Sequence, residues 1–230
     1  LIIGLLPTII VLVFLKIAVY YVARRWPHGV STYRRLFQTH PFTRATALAY
    51  ERGALLGLIL LGIYSGLLWL AIWQGFTWPR LGIGGLDVLS LIPSLAVLSL
   101  AFANAIGAAA LICFALGIAR RWIASSTWLA VLAGAVWIAT MNNIAFGELP
   151  RDFVQAALTF LIVVAFAGIF LKYDLLTLLV AAFTFHLWLH GWPMTKIFAQ
   201  VGNWQFWLPL GLWSTVLALS VLVAYWPVWS

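Results

Sequence analysis

The chain of 230 residues is short of the side chains that carry acid–base, thiol and metal chemistry. Its one cysteine, Cys113, lies in an apolar run, which excludes an internal disulfide and a cysteine-rich metal centre and leaves the redox compartment open. Four histidines and five acidic residues supply little material for a catalytic cluster. Charged residues form only 8% of the chain, hydrophobic ones form 65%, and the mean hydropathy is +1.07. That leaves too little polar surface to coat a water-soluble globule, so a bilayer must act as solvent. No internal repeat or low-complexity tract is present. The chain begins at Leu1 instead of Met, which gives the expectation of a processed chain or part of a longer one.

What the chain has is apolar length. A crossing needs about 20 residues for a hydrocarbon core of about 30 Å, and seven runs approach this: 1–22, 53–73, 88–119, 127–141, 153–171, 175–189 and 205–226. The expected fold class is all-α, a polytopic transmembrane helical bundle of about seven helices, with six to eight as the range. The third run is long for one crossing. With Pro93 near its start and Asn104 and Gly107 inside, it is expected to tilt, break or project from the membrane.

Basic residues test this division, because Lys and Arg accumulate in short cytoplasmic loops. With alternating sides, one side receives Arg24, Arg25, Arg34, Arg35, Arg44 and Arg52, then Arg120, Arg121 and Lys172; the other receives Arg80, Arg151 and Lys196. The expectation is an integral, multi-pass protein of the bacterial inner membrane with its N-terminus outside and its C-terminus cytoplasmic. Lys16 lies near the inner end of the first run, where its stem snorkels to the headgroups. The net charge of +8 is matched to anionic lipid headgroups and not to nucleic acid. The basic stretch 23–52, which carries Trp26, Tyr33, Leu36, Phe37 and Phe42 among its arginines, reads as an interfacial element. Its six arginines, at about 1 kcal/mol each beside an anionic leaflet, form the expected lipid surface.

Fourteen tryptophans are present, and Trp26, Trp73, Trp78, Trp122, Trp128, Trp188, Trp192, Trp204, Trp226 and Trp229 fall near expected span ends. They read as an aromatic belt. Glu51, Asp87 and Asp174 have structural readings at span boundaries, Asp87 as a helix cap. Glu148, Arg151 and Asp152 share a segment in which Pro150 is expected to prevent regular helix.

The pair that points to chemistry is His186 and His190. A spacing of four puts both imidazoles on one helix face, where either is a candidate axial ligand for haem or a chlorophyll-type pigment. Their ordinary reading is hydrogen-bonding or interfacial histidine. A transition-metal site recruits further ligands, and His28 and His40 belong to the opposite side, so no metal site is assigned. Gly191-Trp192-Pro193 directly follows, which places His190 at the membrane surface. The spacings Gly53-xxx-Gly57 and Gly62-xxx-Gly66, with the small-residue run 101–110, are close-packing signals. They serve either packing within the chain or another subunit.

The second half has a familiar order. A long helix ends in Ala119-Arg120-Arg121-Trp122, then come Ser126-Thr127-Trp128-Leu129-Ala130, Asn142-Asn143, a segment bearing Arg151, and Phe170-Leu171-Lys172-Tyr173-Asp174-Leu175-Leu176. This texture, from Leu100 to Trp188, resembles the core of the CAAX protease and bacteriocin-processing (CPBP) family of intramembrane proteases, and it covers under half the chain. The resemblance divides the chain into N-terminal helices at 1–99 with the basic loop 23–52, a CPBP-like core at 100–190, and a C-terminal loop and helix at 191–230.

That family carries paired glutamates followed by arginine, a Phe-x-x-x-His element, and a later His with Asn or Asp four residues on. Here the glutamate positions fall near Gly107 to Ala109, Met141 stands in place of the first histidine, Ala182 in place of the second, and His186 in place of Asn or Asp. Peptide hydrolysis needs a base and a metal or positioned electrophile, so no catalytic residue is assigned. The resemblance implies architecture without activity. The leading expectation is a non-catalytic scaffold or accessory subunit that binds membrane lipids and other membrane protein subunits. The alternatives are a cofactor-bearing subunit of an electron-transfer or photosynthetic complex, with His186 and His190 as ligands, and a residual intramembrane protease.

Overall fold

The computed structural model describes residues 13, 15–24, 26–36, 43–75, 93–120, 122–123, 125–141, 149–199 and 207–225. Every regular element among them is helical. Residues 15–23 form α1, and a 3-10 turn at His28–Val30 leads into α2 (Ser31–Leu36). Then follow α3 (Arg44–Trp73), α4 (Pro93–Ala119), α5 (Ser126–Met141), α6 (Leu149–Lys172), α7 (Leu175–Ala199) and α8 (Trp207–Tyr225). Helices are what a bilayer demands, since hydrocarbon offers no partner to a free peptide group.

Three helical stretches are both long and apolar enough to span a membrane: Arg44–Trp73, Val97–Ala119 and Trp207–Tyr225. Ala156–Lys172 and Leu175–Gly191 are shorter apolar stretches. The protein is thus an all-helical bundle with membrane-spanning helices, and among the described residues three of the seven expected crossings meet both criteria.

Three local expectations differ from what forms, and a fourth, the break offered as one option for the third run, is excluded while its tilt or projection is not. The third helix starts at Arg44, nine residues before the apolar run, because Thr43 caps it: its side chain accepts the Thr46 amide and Thr46 Oγ1 accepts the Thr43 amide. The described residues of 23–52 are therefore mostly helical. In α4, Pro93 stands at the first position and neither Asn104 nor Gly107 interrupts the helix. Pro150, expected to prevent helix, is the second residue of α6, where its missing N–H is one of the amides a helix start leaves unpaired anyway. Finally, Gly191-Trp192-Pro193 does not end α7, which continues to Ala199, so His190 is an interior residue of that helix and not a terminal one.

The centre of the bundle is α7, which packs against α3, α4, α6 and α8. Its Leu175, Leu178, Ala181, Ala182 and Phe185 are buried among residues of the neighbouring helices, with Phe166 and Phe170 the largest. Between helices in lipid, the attraction is packing more than water exclusion, so small residues that admit a neighbour's backbone matter most. A Cβ on Gly53 would come within 2.7 Å of Val180 Cβ, and one on Gly57 within 2.5 Å of the Ala181 carbonyl oxygen. Gly134 holds the corresponding place between α5 and α6, where a Cβ would lie 2.8 Å from the Phe160 ring.

One end of the bundle gathers residues far apart in sequence. Arg120 lies over Trp26 at 5.4 Å, Trp26 meets Phe170 edge-on at 6.3 Å, and Arg52 and Lys172 both lie against the Tyr173 ring. The Tyr225 hydroxyl donates to Glu51 at 3.4 Å. Arg52, Arg120 and Lys172, three of the residues that the charge reading assigns to one side, thus share one end, and Trp26 is half-buried there against the core. Trp73, Trp122 and Trp128 are exposed at helix ends, as a belt requires. Trp188 instead packs edge-on against Trp213, with ring centroids 5.9 Å apart.

Candidate functional site

The face of α7 that carries His186 and His190 meets the middle of α4. One helical turn separates the two histidines, and their rings stack with centroids 5.8 Å apart and planes 10° from parallel. Asn104, on α4, brings its amide nitrogen to 3.3 Å from His190 Nε2. An amide nitrogen only donates, so Nε2 is the acceptor in this contact. Phe185 meets His186 edge-on at 5.2 Å and continues into edge-on contacts with Tyr64 and Phe166. His186 Nδ1 is buried without a hydrogen-bond partner. An orphaned ring nitrogen in an apolar bundle is an unspent polar site, capable of accepting or donating one hydrogen bond.

This pairing was visible from the spacing of four, but its third member was not. Asn104 lies 86 residues earlier, and only the packing of α4 on α7 brings it to His190. Among the described residues no group of three or more His, Cys, Asp or Glu side chains converges. Of the positions at which the CPBP resemblance would put catalytic groups, Ala108, Ala109 and Ala182 are apolar and buried, while His186 stands at the one of Asn or Asp. The side chain of Met141 and the residues 142–148, including Glu148, lie outside the described residues, as do the side chains of Arg151 and Asp152 and the whole of Asp87.

Beside the histidine face is a cavity of about 400 Å³ bounded by α1, α2, α3, α4, α7 and α8. Phe183, a turn before His186, contributes to its wall, but neither histidine does. Tyr33 and Tyr50 stand at the end near the basic residues; Ala54, Ala105 and Val180 line its middle. Trp213 closes another part and donates from Nε1 to the buried Thr184 hydroxyl at 3.0 Å. Burial, with a smaller contribution from the Cys113 thiol, holds the Tyr33 phenol above its ordinary pKa of 10.0. Sequence gives no cue to this cavity, because its lining residues recur in no local pattern.

Of the six arginines assigned to the lipid surface, Arg24, Arg34, Arg44 and Arg52 are exposed. The Arg24 guanidinium also lies over the Tyr20 ring at 4.6 Å and donates to the Tyr20 hydroxyl. Arg25 and the Arg35 side chain lie outside the described residues. Asp174 is a helix cap: its Oδ1 accepts the Thr177 amide at 2.6 Å. Compared with protein-family models, with curated proteins and with solved structures, the chain matches none.

Proposed function

We propose that this chain is a non-catalytic membrane scaffold or accessory subunit, built on a CPBP-like core and docking other membrane protein subunits along α3. The observation that carries this reading is the split between two glycine pairs on that helix. Gly53 and Gly57 are filled from outside by Val180, Ala181 and Thr184 of α7, whereas a Cβ on Gly62 or Gly66 would meet nothing within 4 Å. Both of the latter glycines are exposed, and Ile59, Ile63 and Trp69 are exposed alongside them. A glycine pair costs helix stability unless close backbone approach uses it. An external helix is the user that fits. The same reading places the basic end, and with it the C-terminus, on the cytoplasmic side of a bacterial inner membrane, with the N-terminus outside.

A photo-crosslinking residue in place of Ile63 tests the docking face in native membranes. The proposal predicts a discrete crosslinked band that Gly62→Leu with Gly66→Leu removes; crosslinking to lipid alone would contradict it. A second reading, a cofactor-bearing subunit of an electron-transfer or photosynthetic complex, is favoured by the unpartnered His186 Nδ1. It predicts a visible absorption band in gently purified protein that His186→Ala abolishes, and a spectrum without that band counts against it.

A further inference from the structure

We propose that the cavity between α4 and α8 is a lipid site, which admits one acyl chain of an anionic phospholipid from the surrounding bilayer. The proposal stands independently of the scaffold reading. About 400 Å³ lies within the range of about 300–1,000 Å³ typical of small-molecule sites. The wall is almost wholly carbon, so the occupant must be hydrocarbon over most of its length. Along α7 the lining runs from Leu176 to Phe183, seven residues or about 10 Å at about 1.5 Å per residue. That shape suits one extended chain more than a compact ring.

The source follows from the opening. Phe102 on α4 and Leu212 and Val216 on α8 all line the cavity, yet each is about half exposed: 53%, 52% and 51%. They frame a lateral gap on the flank of two spanning helices, where the bulk phase is lipid. An occupant arriving through it comes from the membrane. The headgroup follows from the charge at the other end. Tyr33 and Tyr50 line the cavity there, and Arg34 and Arg52, exposed, follow them in sequence by one and two residues. Lys172 is exposed on the same end, where it meets the Tyr173 ring with Arg52. Glu51 and Asp174 share that end, and the bonds they accept from the Tyr225 hydroxyl and the Thr177 amide do not cancel a carboxylate's charge; Glu51 Oε2 is also buried without a hydrogen-bond partner. Arg34, Arg52, Arg120 and Lys172 outnumber these two carboxylates, so the net field is cationic and favours an anionic head.

Trp213, in the cavity wall, serves as reporter. The full chain is placed in phosphatidylcholine vesicles that contain either acyl-brominated phosphatidylglycerol or acyl-brominated phosphatidylcholine at equal bromine content. The Trp213 signal is the difference between wild type and Trp213→Phe. The expected result is several-fold stronger quenching by the anionic lipid, abolished by Ala105→Phe, which fills the cavity, and reduced towards the phosphatidylcholine level by Arg34→Gln with Arg52→Gln. Equal quenching by the two headgroups overturns the proposal. So does an anionic excess that survives Ala105→Phe in protein of native helicity and size. Should Ala105→Phe not fold, the surface arginine pair decides: an excess unchanged in that variant also overturns the proposal.

Discussion

Gly57 shows how much one missing side chain does in this bundle. The Ala181 carbonyl and Thr184 Cβ occupy the space a Cβ would need, at 2.5 and 2.8 Å, and the first of these is backbone that cannot swing aside. Overpacking of this kind costs about 1–3 kcal/mol. Gly57→Val should therefore lower the thermal unfolding midpoint in detergent, while Gly62→Ala, which meets nothing, should stabilise by about 0.5–1 kcal/mol because alanine lowers the entropy of the unfolded chain. If both substitutions destabilise equally, the α3–α7 contact is not what the glycines serve. Tyr33 gives a second test. Because its phenol pKa is raised in the folded protein, the fold binds that proton more tightly than the unfolded chain does. The contribution is fully present below pH 10 and is lost as pH rises through the raised folded value. Tyr33→Phe should flatten the alkaline fall in stability in a pH series of denaturation curves, and an identical fall in both proteins would contradict this assignment.

At the scale of the element, helix ends are set by caps and not by where the apolar sequence stops. Asp174 ends the turn after α6 and caps α7, so Asp174→Ala should destabilise by about 1 kcal/mol, with Asp174→Asn or Asp174→Ser retaining most of the stability. Equal loss in all three substitutions would point to charge instead of capping. The same physics explains which parts of the fold were legible. Apolar length revealed the helices, because the bilayer imposes it. It misjudged the start of α3, where Arg44 to Arg52 continue the helix past the apolar run under the Thr43 cap. It also over-read proline: Pro150 sits in the first turn of α6, and α7 carries its backbone through Pro193 within a packed bundle. At the candidate site, the shared face of His186 and His190 follows from helical period alone. Asn104 and the cavity depend on which helices become neighbours, and no local pattern encodes that.

On the scale of the whole molecule, the basic residues and the packing agree on one end. Arg52 and Lys172 lie in α3 and α6 and Arg120 directly follows α4, yet all three reach aromatic rings at the same end of the bundle. Cation–π contacts and an anionic leaflet attract the same side chains, so this end is well suited to rest on a charged membrane surface. With α7 enclosed by its neighbours, α3 has an inner face packed against them and, at Gly62 and Gly66, an outer face on which a Cβ would meet nothing within 4 Å among the described residues. That outer face is proposed as the one another membrane subunit docks against.

Native mass spectrometry of the chain, solubilised gently from its own membrane, tests this most directly. The expected result is a stoichiometric complex that dissociates in Gly62→Leu with Gly66→Leu, while the variant keeps the thermal stability of the isolated wild-type chain. A chain that emerges alone and monomeric from native membranes, or a complex indifferent to that double substitution, would contradict it.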